Sequence, residues 1–219
     1  MENTQKSTGY LATPRSGKGP GVLVLHAWWG LNDTIRGVCD RLAALGFAAY
    51  APDLYHGKVA TTIEEAERLG QQLDGNAERA KAETQEAVGT LLAHVEDQTK
   101  GFGVIGFSLG AYYACQLSGA DPEHVRAVVV FYGAGEGDFK KAKAAYMGHF
   151  ATNDPYESAE WVDRMEKALQ AAGRPVTFYH YDGVGHWFFE PDRVDAYNEA
   201  AASLAWERTI TFLRANGLR

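Results

Sequence analysis

The stretch Gly103-Val104-Ile105-Gly106-Phe107-Ser108-Leu109-Gly110-Ala111 decides how the rest of the chain is read. Residues 102–105 form a short apolar run rich in β-branched side chains, the pattern of a buried strand. Residues 109–117 suit a helix that Ser118-Gly119 would stop. Between them lies a Gly-x-Ser-x-Gly pentad from Gly106 to Gly110. A strand that turns sharply into a helix at a serine strains the serine backbone. It also brings the residues two before and two after it almost into contact, so only small side chains fit there. Gly106 and Gly110 meet that demand. Such a turn lifts the Ser108 hydroxyl above the sheet and aims the Leu109 amide at the place where an oxyanion would form. An ordinary glycine-rich turn with a capping serine is the alternative reading.

On either side, apolar runs at 22–26, 47–51, 125–132, 144–150 and 175–181 read as further strands, with an edge strand over 9–13. Helical patterns cover 32–45, 63–73, 77–97 and 158–172, and a last helix runs from Asp192 or Val194 to Ala215, with room for one break. Strands and helices alternate, and the strands are continuously apolar, the mark of a parallel sheet covered on both faces. No repeat or linker divides the 219 residues. One α/β domain over 1–219 is expected, with 1–7 loose and any ligand at the carboxyl ends of the strands.

Composition narrows the function classes. A net charge of −7 argues against nucleic acid or an anionic membrane as partner. Cys39 and Cys115 are far apart, which suggests a reducing compartment and no metal knuckle. The first residues lack the apolar core of a signal peptide, and no apolar run approaches the roughly 20 residues needed to cross a bilayer. A cytoplasmic protein is expected, acting on a small molecule, with monomer and dimer both open. No metal-binding, phosphate-binding or dinucleotide-binding motif is present, so neither metal nor cofactor is expected.

A serine hydroxyl is a weak nucleophile near neutral pH and needs a base, which in turn needs an orienting acid. After a nucleophile elbow the chain order is serine, acid, histidine. Three histidines are candidates: His149, His180 and His186. The first two fall inside strand runs and suit packing or the surface. His186 lies in the loop Gly183-Val184-Gly185-His186-Trp187 after a strand and is the expected base. Asp154, after the 144–150 run and before Pro155, is the favoured acid, with Asp182 and Asp138 as rivals. A second oxyanion donor should come from His26-Ala27-Trp28-Trp29-Gly30, at the Trp28 amide or alternatively at Ala27.

Together with 22–32 (VLVLHAWWGLN) and Ala51-Pro52-Asp53-Leu54-Tyr55, these motifs resemble the dienelactone hydrolase family of the α/β-hydrolases. The resemblance spans nearly the whole chain. It implies a three-layer α/β-hydrolase fold, a mostly parallel sheet of about seven strands with helices on both faces, and no large cap domain. It also implies cleavage of an ester or lactone through an acyl-enzyme. The family's namesakes carry cysteine where this chain has Ser108, and a glutamate where it has Ala27. A serine activated directly by His186 does not need that glutamate. The namesakes also hold a carboxylate with arginine four residues after the histidine. Glu190 stands there instead and is expected to repel an anionic lactone. Trp28, Trp29, Tyr55, Phe107, Trp187, Phe188 and Phe189 are expected to wall an apolar pocket for a neutral, hydrophobic or aromatic substrate. Two other readings stay open: acyl transfer to an alcohol or peroxide by the same residues, and a non-catalytic binding protein.

Overall fold

The computed structural model describes residues 9–219, so the expected loose segment 1–7 lies outside the described residues. Seven strands form one sheet: β1 (Tyr10–Ala12), β2 (Gly21–Leu25), β3 (Ala48–Ala51), β4 (Phe102–Phe107), β5 (Val125–Phe131), β6 (Ala145–Ala151) and β7 (Val176–Tyr181). Their order is β1-β3-β2-β4-β5-β6-β7. Every pairing is parallel except β1 with β3. The helices are α1 (Asp33–Ala44), α2 (Ile63–Asp74), α3 (Ala77–Leu92), α4 (Leu109–Ala120), α5 (Ala159–Ala171) and α6 (Glu199–Ala215). This is the α/β-hydrolase architecture. None of the described helices is long and apolar enough to cross a membrane.

β4 sits in the middle of the sheet, and its alternating residues show which helices cover which face. A side chain at Gly103 would meet Leu213 and Leu218, whereas one at Gly106 would meet Gly110 and Ala111. So α6 covers one face and α4 the other. Arg41 of α1 stacks 4.0 Å over the Trp206 ring of α6, which joins these two helices on the first face. α3 packs beside α4 on the second. With both faces covered, β2, β3, β4 and β6 are buried at every position, as their continuous apolar sequences require. β7, an edge strand, is only partly buried.

Two helix limits differ from the sequence reading. The helix expected over 77–97 ends at Leu92. Beyond it the chain turns back: Gly19 N–H donates to His94 O, Glu96 N–H donates to Gly19 O, and Val95 is buried beside Gly19. Asp97 then caps a 3₁₀ turn over Gln98–Lys100, and Gly101 at φ +74° leads into β4. The amphipathic pattern runs on, but the backbone pairing with Gly19 ends the helix. The last helix begins at Glu199, capped by the Asn198 side chain, not at Asp192 or Val194. Asp192 instead accepts hydrogen bonds from Asn32 (3.1 Å) and the Thr34 hydroxyl (2.6 Å), which pins the preceding turns to the start of α1.

Glycines inside this framework divide into two kinds. A Cβ at Gly110 would lie 2.4 Å from Leu25 O, while one at Gly37, in α1, would meet nothing within 4 Å. Gly110→Ala is expected to cost about 3 kcal/mol or more, and Gly37→Ala to gain about 0.5–1 kcal/mol. Urea unfolding of the two variants beside wild type checks both signs.

Candidate active site

Ser108 joins β4 to α4 with φ +48° and ψ −114°, a conformation that costs a non-glycine residue about 1–3 kcal/mol. The crowding around it explains why glycines surround it. A Cβ at Gly106 would lie 2.5 Å from Gly110 O, and one at Gly133 would lie 2.4 Å from Ser108 O. Because Gly110 also abuts Leu25 O, the start of α4 is pressed against the end of β2. That also brings His26, which opens the loop carrying Trp28, against the first turn of α4, whose first residue is Leu109. The first N–H groups of a helix have no partner within it and carry the positive end of its dipole.

His26 anchors that loop from below. It is buried, its Nδ1–H donates to Ala27 O (2.8 Å), and its Nε2 accepts from Leu54 N–H (3.3 Å). Burial pushes its pKa down, so the ring stays neutral and ties the end of β2 to the end of β3. The sequence placed His26 at the end of a strand and the start of the oxyanion loop but gave its ring no role.

His186 Nε2 lies 2.9 Å from Ser108 Oγ, and its Nδ1 lies 2.7 Å from Asp154 Oδ2. The other Asp154 oxygen accepts the N–H groups of Tyr156 (2.9 Å) and Glu157 (3.0 Å). An ionised carboxylate only accepts, so Nδ1 is the donor and Nε2 is left as the acceptor facing the Ser108 hydroxyl. The His186 and Asp154 side chains are only 3% and 4% exposed. This is the arrangement that lets a serine oxygen lose its proton as it attacks a carbonyl.

The rival acids lie elsewhere. Asp182 accepts the Thr152 hydroxyl at 2.7 Å, and Asp138 pairs with Lys141 at 2.8 Å. His149 is bonded to Tyr181 (2.9 Å) and Thr209 (3.1 Å), and burial, helped by Arg208, pushes its pKa down to about 3. His180 is exposed on β7. Burial pushes both thiols, Cys39 and Cys115, up to about 12, the reverse of what an activated cysteine needs.

The aromatic expectations need correction. Phe107 is fully buried, stacked at 4.7 Å on Phe131 and 5.5 Å from Phe189, so both it and Phe189 belong to the core facing α6. Phe188 is likewise core, 5.0 Å from the Tyr181 ring and 5.7 Å from Tyr132. Trp29 lies buried against Trp187 at 5.1 Å and is capped by Arg193 at 3.8 Å. Tyr55 packs on His26 at 4.8 Å and borders a separate cavity of about 260 Å³ with Leu69, Leu73 and Arg79. In each case the packed fold claims an apolar side chain that the sequence placed on a loop or strand end. The aromatics that pack on the His186 ring are Trp187 and Tyr156, with Trp28 beyond them against Tyr156. Tyr156 is 5.3 Å from the His186 ring, 4.6 Å from Trp187 and 6.2 Å from Trp28, and the Trp28 indole also meets Gly70 of α2. Its position two residues after Asp154 was the available signal. Glu157 Oε2 accepts Ala134 N–H at 2.8 Å and ties the loop after β6 to the loop after β5.

Glu190 is not on the pocket surface. It is fully buried and accepts a hydrogen bond from Tyr132 OH at 2.7 Å, and burial pushes its pKa up to about 8. No exposed charge stands there to repel an anionic lactone, which corrects that expectation.

Residues 8–217 match the sequence model described as the Dienelactone hydrolase family. Protein usf of Aquifex pyrophilus is 33% identical over 97% of this chain and 95% of its own. The carboxymethylenebutenolidase of Rhodococcus opacus is 27% identical over 92% of this chain and 83% of its own. The solved structure m3DLH is 25% identical, with a TM-score of 0.86 over 95% of this chain and 92% of that one.

Two stability measurements test this geometry. Ser108→Gly relieves the backbone strain at some cost in unfolded-state entropy and is expected to stabilise the protein by about 1 kcal/mol in urea unfolding. For Glu190, the folded pKa of about 8 lies above the ordinary value of about 4.3. Its contribution is therefore fully present below about pH 4.3 and is lost as pH rises through about 8, a change of ~5 kcal/mol. Thermal unfolding of Glu190→Gln should lack that component of the wild-type pH dependence between pH 5 and 8.5.

Proposed function

Because the chain belongs to the dienelactone hydrolase family, we propose that the ester or lactone bond it cleaves is opened by Ser108 as nucleophile, with His186 as general base and Asp154 as the orienting carboxylate. The observation that carries this reading is the pair of contacts made by one imidazole, 2.9 Å to Ser108 Oγ and 2.7 Å to Asp154 Oδ2.

His186 Nε2 takes the Ser108 proton as Oγ attacks the carbonyl carbon. The Leu109 and Trp28 amides stabilise the oxyanion of the tetrahedral intermediate; one such donor is typically worth about 10²–10³ in rate. The imidazolium, held by Asp154, then returns its proton to the leaving alcohol oxygen. Water, deprotonated by His186, attacks the acyl-serine, and His186 returns that proton to Ser108 Oγ as the Oγ–acyl bond breaks and the acid leaves. The leaving oxygen must come within reach of Nε2, so the alcohol half lies on the His186 side. Tyr156, 5.3 Å from the His186 ring, stands on that side, and with Asp154 and Trp161 it also borders an open cleft of about 410 Å³. The aromatic rim of Trp28, Trp187 and Tyr156 suits a neutral, hydrophobic or aromatic ester or lactone. The arginine that the family's namesakes use toward a substrate carboxylate is replaced by the buried Glu190, which supports the same choice.

Hydrolysis of p-nitrophenyl esters from acetate to octanoate tests the assignment. Ser108→Ala is expected to lower kcat/KM by about 10⁴-fold or more, and Asp154→Asn by about 10³–10⁴-fold, because the amide favours the wrong histidine tautomer. Turnover that survives Ser108→Ala would overturn the assignment.

A further inference from the structure

We propose that Tyr132 and Glu190 form a buried strap that positions His186 over Ser108, with Glu190 as a positioning residue acting through Tyr132. The inference rests on the assignment of His186 as the base.

One end of the strap belongs to the nucleophile. Tyr132 directly follows β5, its N–H donates to His149 O at 2.8 Å, and its neighbour Gly133 is pressed against Ser108. It holds φ +38°, a strained value for a tyrosine that persists only where the surroundings over-determine it. The other end belongs to the base. Glu190 N–H donates to Trp187 O at 2.9 Å, closing a turn directly after His186, and Trp187 itself sits at φ +60°. The 2.7 Å bond from Tyr132 OH to Glu190 Oε1 joins the two ends. The Tyr132 ring lies 4.9 Å from the imidazole and so contacts the base directly. Asp154 fixes the ring through Nδ1, but a single hydrogen bond leaves tilt about that axis, and the Tyr132 ring restrains it.

The strap also has a preferred protonation state. Asp192 and Arg193, on its own segment, and Tyr132, at the end of β5, are the charged or titratable groups that act on Glu190; Asp154 and Asp192 act on Tyr132. The one cation among them, Arg193, bonds Asp192 at 2.7 Å and stacks over Trp29 at 3.8 Å. Glu190 Oε2 has no protein partner. Ionised Glu190 would be a fully buried charge without a bonded counter-ion, a state that forces rearrangement. The strap is therefore intact while Glu190 is protonated and is disturbed once it ionises.

Steady-state hydrolysis of p-nitrophenyl acetate by the full chain, corrected for spontaneous hydrolysis and run well below each variant's measured Tm, tests the strap. Tyr132→Phe and Glu190→Leu are expected to lower kcat about 10–100-fold with KM within about twofold, because a misplaced base slows chemistry more than binding. Glu190→Gln keeps an acceptor for Tyr132. It should hold kcat within about threefold at pH 7 and lack a fall in kcat that wild type shows above about pH 8. Folded Tyr132→Phe and Glu190→Leu proteins with wild-type kcat would overturn the inference. So would a Glu190→Gln profile that matches wild type, and that profile decides alone if the other two variants do not fold. Wild-type turnover in a Ser108→Ala control would mean that the serine assignment has failed and not the strap.

Discussion

Three backbone segments meet at Ser108 at distances that leave no room for a β-carbon: the end of β4 at Gly106, the start of α4 at Gly110, and the end of β5 at Gly133. That close approach holds the serine at a positive φ and presses α4 against the end of β2. The strain of about 1–3 kcal/mol is local, whereas the forces that maintain it are spread over the whole sheet. β4 is buried at every position, and β2 and β5 run parallel to it on either side. Ser108 N–H donates to Phe131 O at 2.9 Å, so even the turn is bonded to the strand next to it.

The histidine reaches this point from the far edge of the sheet, after β7, and no such crowding fixes it. Its position depends on several ties. Asp154 holds Nδ1 and is itself held by two amides. Glu157 joins the Asp154 loop to Ala134, next to Gly133. Asp192 pins the turns after the histidine to the start of α1, and Glu190 joins them to Tyr132. The departures from the family's namesakes fit together around these ties. A serine paired directly with histidine needs no thiolate-generating carboxylate, and Ala27 leaves none there. Glu190, at a position where a namesake's arginine would face substrate, is turned inward and bonded to a tyrosine.

Much of the fold was legible because it rests on short-range patterns. Continuous apolar runs such as GVLVL and VRAVVVF require a strand buried on both faces, and their alternation with helices leaves a parallel sheet as the packed solution. The helix limits were less legible where a distant partner ended or delayed the helix, Gly19 for α3 and the start of α1 for α6. The aromatic residues were least legible. Phe107 and Phe188 sit beside Ser108 and near His186 in sequence, yet their alternation within β4 and the loop turns them into the core, while Tyr156, two residues from Asp154, turns toward the imidazole.

The sequence by itself determined the sheet, the elbow and the order of serine, aspartate and histidine, because these follow from periodicity, from the space that glycines leave and from the direction of a parallel chain. Only the tertiary structure decided which of three aspartates meets the histidine and which aromatics line the site. It also decided that Glu190 is a buried partner of Tyr132 and not a charge facing substrate. Those choices depend on side-chain direction and on contacts between residues far apart in the chain. A change of one position along a strand or turn reverses such a contact without altering the pattern of residue types.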